Sequence, residues 1–490
     1  MEQDPTKPQL EAMLAKQREV QLRDGPPSAA LRRDRIDRMI DMLLSNSDAF
    51  VAAMSADFGH RSPIQSTFTD VMGVMQSAKG DRANLEKWMK PKRVGSWLGS
   101  MMSGAGRIEY VPRGVVGIIA PWNFPLSLSL SPLSQAFAAG NRAMLKMSEL
   151  TPRTAELLRE TVAKAFSPEE CVVVTGGPDV GALFSALPFD LMFFTGGTGI
   201  ARHVQRACAE NLVPSVLELG GKSPVVIAPD ADFKQAADRV AVGKTMNAGQ
   251  ICLAPDYIFA PEGREQAFAD ALVTSFTRMY PTLRDNDDYT SVVAQRHYDR
   301  LQSHLADAAA KGATLIAVNP AGEDFSGQSA MKIPPTIVLN ANPQMTLLQD
   351  EIFGPVLPVM GYRNIDQVID YVNAQARPLA VYYFGPEDKT CRRFIDRTTS
   401  GGVCLNDVLS HAGGDQLPFG GVGDSGAGSY HGRYGFEAFS HARSVLSSSR
   451  RFSMNQLMAP PYGPRRRKLL AWVLENERKA VKKRLALPKR

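Results

Sequence analysis

Val115-Val116-Gly117-Ile118-Ile119 runs straight into Ala120-Pro121-Trp122-Asn123-Phe124-Pro125. An apolar run without polar alternation is what a strand covered on both faces needs, so it predicts a buried strand of a parallel sheet. Two prolines then stop the extension and leave a loop at the strand's carboxyl end, where open α/β sheets bind ligands. Upstream, residues 107–111 alternate like a half-buried strand after a Gly- and Ser-rich stretch at 95–106. Earlier still, Ile36, Met39, Ile40, Leu43, Leu44, Phe50, Val51 and Met54 predict a helix over 32–57.

Downstream, strands at 143–147, 171–175 and 190–194 alternate with helices, one opening at Thr151-Pro152 with proline in its first turn. The rhythm resumes with a strand at 225–228, a helix at 231–247, a strand at 256–260, a helix at 264–279, and strands at 379–384 and 402–405. This is an α/β chain, and 490 residues exceed what one core supports, so two α/β domains are expected. Residues 401–440 hold 11 of the 40 glycines, with Phe419 and Tyr430 among them. Such density predicts a packed crossing of irregular backbone rather than a surface loop.

Composition narrows the function classes. No run of about 18 apolar residues is present and the N-terminus has no apolar signal core, which points to a cytoplasmic protein. Five scattered cysteines (Cys171, Cys208, Cys252, Cys391 and Cys404), none in a CxxC pair, suggest neither a disulfide framework nor a zinc ribbon. The seven histidines show no ligand spacing, and no metal site is expected. The net charge of +6 is local: residues 465–490 carry 11 Lys and Arg against Glu475 and Glu477, leaving the rest at −3. Nucleic-acid binding by the folded body is therefore not expected. The tail intersperses its basic blocks with Leu470, Trp472, Leu474, Val481 and Leu485. A basic amphipathic helix can lie on an anionic membrane surface, but a solvated or disordered tail is the expectation.

Three places could carry chemistry. Cys252 follows Asn247-Ala248-Gly249-Gln250-Ile251, a Gly-containing turn that would expose a thiol, and Glu218 lies 34 residues earlier as a possible base. Asn123 offers a neutral donor of the type that stabilises an oxyanion. Phe194-Thr195-Gly196-Gly197-Thr198 ends a strand and opens a helix, whose free amides suit a pyrophosphate. Each also has an ordinary reading: a buried inert thiol, a turn asparagine, a tight strand–helix turn.

Seven motifs together carry a resemblance. Pro121-Trp122-Asn123, Lys146-x-Ser148-Glu149, Phe194-Thr195-Gly196, Glu218-Leu219-Gly220-Gly221-Lys222, Gly249-Gln250-x-Cys252, Glu351-Ile352-Phe353-Gly354-Pro355 and Pro418-Phe419-Gly420-Gly421 stand in the order seen in aldehyde dehydrogenases. Ser429-Tyr430-His431-Gly432 followed by Phe436-Glu437-Ala438-Phe439-Ser440-His441 resembles the class 3 branch. Lys146-Met147-Ser148-Glu149 and the chain length look most like its bacterial members acting on coniferyl-type aromatic aldehydes.

The resemblance implies the aldehyde dehydrogenase fold: a Rossmann-like cofactor domain (1–98 and 114–218), an α/β catalytic domain (219–411), a small β bridging element for oligomerisation (99–113 and 412–450) and a basic tail (451–490). It implies that Cys252 attacks the aldehyde, that Asn123 and the Cys252 amide hold the oxyanion, and that Glu218 activates water to release the acid from a thioester. It assigns cofactor contacts to Trp122, Lys146, Glu149, Thr195, Gly196, Gly197, Thr198, Leu219, Glu351 and Phe353. Glu149 can accept from a ribose 2′-hydroxyl, which favours NAD, with NADP open. A homodimer is implied by the branch alone. Met147 departs from the usual proline, and Gly197 and Ala201 from the usual serine and glycine, which bears on cofactor affinity. Competing readings are a fatty or medium-chain aldehyde dehydrogenase, a CoA-acylating enzyme that Glu218 argues against, a Cys–His hydrolase with no histidine nominated, and an inactive homologue.

Overall fold

Strand Val115–Ile119 forms as expected, in the middle of a six-stranded sheet, in a computed structural model that describes residues 4–95, 105–414, 416–448 and 453–486. The sheet order is Gly426–Ala427, Ser215–Glu218, Leu191–Thr195, Val115–Ile119, Arg142–Lys146, Cys171–Val174. All its pairings are parallel except the first, where Gly426–Ala427 runs antiparallel to Leu217 and Glu218. Leu191–Thr195 and Arg142–Lys146 are buried throughout, which is why their sequences do not alternate. A seven-stranded sheet follows the order Thr314–Ala317, Thr336–Leu339, Val356–Tyr362, Pro255–Pro261, Ser223–Ile227, Ala380–Phe384, Gly402–Leu405. It too is parallel except at one edge, between Thr314–Ala317 and Thr336–Leu339.

The α/β expectation holds, and helix ends follow local signals. Pro152–Ala165 starts with proline in its first turn. Phe233–Thr245 is capped by the Asp232 side chain, which accepts from the Gln235 amide at 3.1 Å. Two expectations needed correction. The single helix predicted over 32–57 is two, Ala29–Ser45 and Ser47–Phe58. At the break Asn46 leaves helical geometry, and its side chain donates to the Met42 carbonyl at 2.7 Å, a local bond that competes with the helix. The N-terminus, read only as polar, forms helix Lys7–Asp24, burying Leu10, Leu14 and Val20. Its buried Gln17 is polar in sequence but donates to the carbonyls of Ala143 and Pro168, so it packs as a core residue would.

Two compact units divide the chain: residues 1–90 with 110–441, and residues 91–109 with 442–490. The first holds both large sheets and the Gly-rich segment. The second holds most of a three-stranded sheet made from Lys92–Val94, Ala105–Pro112 and Ser440–Ser447, and helix Pro464–Leu485. Within it Glu109 pairs with Arg107 at 2.8 Å and Arg443 at 2.7 Å. Helix Pro464–Leu485 buries none of its residues against the rest of the chain. Residues 99–104, 415 and 449–450 of the expected bridging element, and 451–452 and 487–490 of the expected tail, lie outside the described residues.

Candidate active site

The Cys252 turn begins where helix Phe233–Thr245 ends. Asn247 and Ala248 adopt left-handed backbone (φ 49° and 51°), followed by Gly249 at 73°. A side chain at Gly249 would overlap the Gly354 carbonyl, so only glycine lets these two segments touch. Strained non-glycine backbone of this kind persists where the surroundings over-determine it. Gln250 does so here: its side chain donates to the carbonyls of Asn247 (2.9 Å) and Ser291 (3.0 Å) and accepts from the Val293 amide (3.0 Å).

The loop after Val115–Ile119 meets this turn. Asn123, 3% exposed, donates from Nδ2 to the Gln250 carbonyl at 3.1 Å, and Asn247 Nδ2 donates to the Asn123 carbonyl at 3.1 Å. A carboxamide has two N–H groups, so this bond fixes the amide plane and leaves a second donor. Glu218 arrives from a different direction, at the end of Ser215–Glu218, with Thr195 beside it on one flank and Gly426 on the other. A side chain at Gly426 would overlap the Leu217 carbonyl, so the Gly-rich segment is the packed crossing its sequence predicted.

Cys252, Asn123 and Glu218 all line one cavity of about 410 Å³. Both Glu218 carboxyl oxygens are buried without a hydrogen-bond partner, and burial pushes its pKa well above the ordinary carboxylate range. Burial, and then the charges of Glu351 and Glu218, push the Cys252 thiol up as well.

Trp122, Thr195, Gly196, Gly197, Leu219, Glu351 and Phe353 line the same cavity. Trp122 and Phe353 meet edge to face at 5.4 Å. Helix Thr198–Glu210 starts at Gly197 with no side chain capping its first amides, and the space beside Gly197 and Gly199 is open. The Thr195 hydroxyl is buried and unpartnered. A diphosphate with an attached ring suits this set: open N-terminal amides for the anion, aromatic walls for the ring.

The Glu351 loop is gripped by its backbone. Lys222 donates to the Leu347 and Asp350 carbonyls (both 2.8 Å) and pairs with Asp256, which accepts from the Ile352 amide at 2.9 Å. Arg300 donates to the carbonyls of Glu351 (3.0 Å) and Ile352 (2.7 Å). Phe353 is held at φ 48°. The Glu351 carboxyl accepts from the Gly221 amide at 3.1 Å, yet burial and the nearby Asp256 charge raise its pKa to about 8.

Three expected residues sit outside the cavity lining. Lys146 ends Arg142–Lys146, buried, donating to the Met147 and Gly176 carbonyls (both 2.7 Å), and Glu149 is exposed just beyond it. Thr198 donates to the Asp424 carbonyl at 3.0 Å. Leu128, Ile200, Arg296, His297, Arg300, Phe419 and Tyr430 also line the cavity. His297 is one of the seven histidines without ligand spacing. Burial and then the charges of Arg296 and Arg300 lower it to about 4, so it is a neutral imidazole against Trp122 at 5.1 Å. No spacing rule nominates it, since it reaches the site from a helix with no other expected residue.

A model of the aldehyde dehydrogenase family matches residues 4–445. The coniferyl aldehyde dehydrogenase of Pseudomonas sp. strain HR199 is 49% identical over 470 residues, 96% of this chain and 97% of that protein. Among solved structures, a substrate-bound Staphylococcus aureus AldH superposes with a TM-score of 0.88 at 32% identity, over 95% of this chain and 99% of that one. A Mycobacterium tuberculosis aldehyde dehydrogenase complexed with NAD+ superposes with a TM-score of 0.80 at 27% identity, over 91% of each chain.

Proposed function

This chain belongs to the aldehyde dehydrogenase family, and from that premise we propose that it oxidises coniferyl-type aromatic aldehydes to carboxylic acids, with Cys252 as nucleophile and NAD as preferred cofactor. The observation that carries the reading is the convergence of Cys252, Asn123 and Glu218, from three separate segments, on one cavity walled by Trp122, Phe353, Phe419 and Tyr430.

Cys252 Sγ adds to the aldehyde carbon after the Glu218 carboxylate on the same cavity takes its proton and passes it to solvent. The free N–H of the Asn123 amide and the Cys252 backbone N–H donate to the oxyanion that forms, and the bond to the Gln250 carbonyl keeps the amide from rotating away. When bound, the nicotinamide supplies the hydride acceptor that makes the adduct a thioester. Glu218 then takes a proton from water as it attacks the thioester carbon, a task that calls for a carboxylate whose pKa is raised toward neutrality. Cys252 leaves as the thiolate and recovers the proton that Glu218 took from water, which completes the cycle.

The open amides of Gly197 and Thr198, at the start of helix Thr198–Glu210, suit the pyrophosphate, with Thr195, Gly196 and Leu219 beside it. Glu351, Phe353 and Trp122 suit the nicotinamide riboside, and Lys146 and Glu149 the adenosine ribose. Glu149 would repel a 2′-phosphate, which supports NAD over NADP. By this reading residues 114–218 with the N-terminal helices bind cofactor, 219–411 supply the nucleophile, and 99–113 with 412–450 bridge subunits of a homodimer. The five free cysteines support a reducing, cytoplasmic setting. No helix among the described residues is long and apolar enough to cross a membrane.

The test is reduced-nicotinamide absorbance with coniferyl, benzyl and fatty aldehydes. The reading expects the highest kcat/KM with the aromatic enal. Equal or better turnover of long-chain aldehydes would overturn the substrate class, and a strict requirement for coenzyme A would overturn hydrolysis by Glu218.

A further inference from the structure

Behind the Asn123 loop lies a charged pair that catalysis does not consume. Arg61 and Asp70 are 1% and 0% exposed, and Arg61 Nη2 donates to Asp70 Oδ2 at 2.7 Å. The other Asp70 oxygen accepts from the backbone amides of Leu126 and Ser127, both at 3.1 Å. Those amides open helix Ser127–Ala139, directly after Pro121-Trp122-Asn123-Phe124-Pro125. The guanidinium lies between two rings, 5.1 Å from Phe58 and 5.2 Å from Phe124, and Phe58 in turn packs on Trp122 at 6.1 Å.

Every residue beside Asn123 is thus anchored to this pair: Trp122 through Phe58, Phe124 by the guanidinium, Leu126 and Ser127 by the carboxylate. Asp70 sits in Thr67–Met72, a π-helical stretch within the helical segment that runs on to Met89. Such bulges are uncommon and recur at functional sites. The segment also reaches the nucleophile's turn, because Gln65 accepts from the Asn247 amide at 2.9 Å. Burying an ion pair this completely is rarely the most stable choice, since apolar residues of similar volume often serve stability as well or better. Its retention here is accounted for by what it holds.

We propose that Arg61 and Asp70 are positioning residues for the oxyanion donor: the buried pair fixes the Asn123 loop, and through it the direction of the Asn123 amide. This rests on the reading of Asn123 as that donor. A displacement of about 1 Å at such a donor costs on the order of 10²-fold in rate.

The test is a double-mutant cycle, with Asp70→Ala made in the wild type and in Asn123→Ala, and folding checked by thermal melts. In the wild type, Asp70→Ala should lower kcat by about tenfold to a hundredfold. In Asn123→Ala the same substitution should cost less than about threefold, because the group it orients is gone. The alkylation rate of Cys252 without cofactor should stay within about threefold, since it does not depend on the amide. Asp70→Asn keeps an acceptor for both loop amides but leaves Arg61 without its counter-charge, so it should recover only part of the loss. Should Asp70→Ala not fold, Arg61→Met in the same two backgrounds replaces it, with the same expectations.

An equal loss in both backgrounds overturns the inference, as that is a general structural effect. Wild-type kcat in the Asp70 variant, with Asn123→Ala impaired, overturns the inference alone. Wild-type kcat in Asn123→Ala overturns the oxyanion reading and the inference with it.

Discussion

Two loops face Cys252, and both are gripped by a buried ion pair that acts on backbone, yet they differ in what they carry. The Asn123 loop rests on Arg61 and Asp70, enclosed between aromatic rings, and presents a neutral amide. The Glu351 loop rests on Lys222, Asp256 and Arg300, and presents a carboxyl group that titrates near 8. Lys244, buried without a partner and lowered by burial to about 8, adds a second group titrating in this neighbourhood. On the proposed reading, the first loop sets geometry at the reacting carbon and the second sets charge beside the cofactor. The first loop should answer to substitutions through kcat, the second through cofactor KM and pH.

The largest effect lies between the loops. Cys252→Ala should lower kcat by at least about 10⁴-fold, as loss of a nucleophile does, while cofactor binding measured by fluorescence is retained. Substantial turnover would remove the centre around which the comparison is drawn. On the first loop, Asn123→Ala should cost about 10²- to 10³-fold in kcat with the KM for NAD nearly unchanged. A loss expressed in cofactor KM instead would mean that the two loops are not functionally separate.

On the second loop, Arg300→Met frees the carbonyls of Glu351 and Ile352 and should raise the KM for NAD about tenfold, with the alkylation rate of Cys252 preserved. The smallest effect is pH-dependent. A carboxyl raised to about 8 is protonated at neutrality and ionised above that value, and on the proposed cofactor reading the ionised form is the stronger acceptor for ribose hydroxyls. The KM for NAD should therefore fall by about threefold as pH rises through 8, and Glu351→Gln should flatten that profile. A flat profile in the wild type would show that Glu351 does not titrate there.

Much of this was legible in the chain, for physical reasons that vary along it. Val115–Ile119 and Leu191–Thr195 announce themselves because strands buried on both faces must be uninterruptedly apolar. Cys252, Asn123 and Glu218 were found because short ordered motifs surround them. Helix Lys7–Asp24 was missed because part of its packing face is polar: Gln17 is held by hydrogen bonds rather than by apolar contact. Arg61 and Asp70 were missed for the same reason. They are charged, nine residues apart, and become a single buried unit only once Phe58 and Phe124 close around them. His297 and Arg300 reach the cavity from a helix that carries no motif, so only tertiary structure could place them.

The central claim is that Cys252 carries the acyl group and Glu218 releases it with water. Glu218→Gln, mixed with coniferyl aldehyde and NAD, quenched in acid and digested, tests it by mass spectrometry. The account predicts a burst of reduced cofactor and an acyl group on the peptide containing Cys252, absent when Cys252→Ala is added. Full steady turnover without an acylated Cys252 peptide, or acylation at another residue, would contradict it.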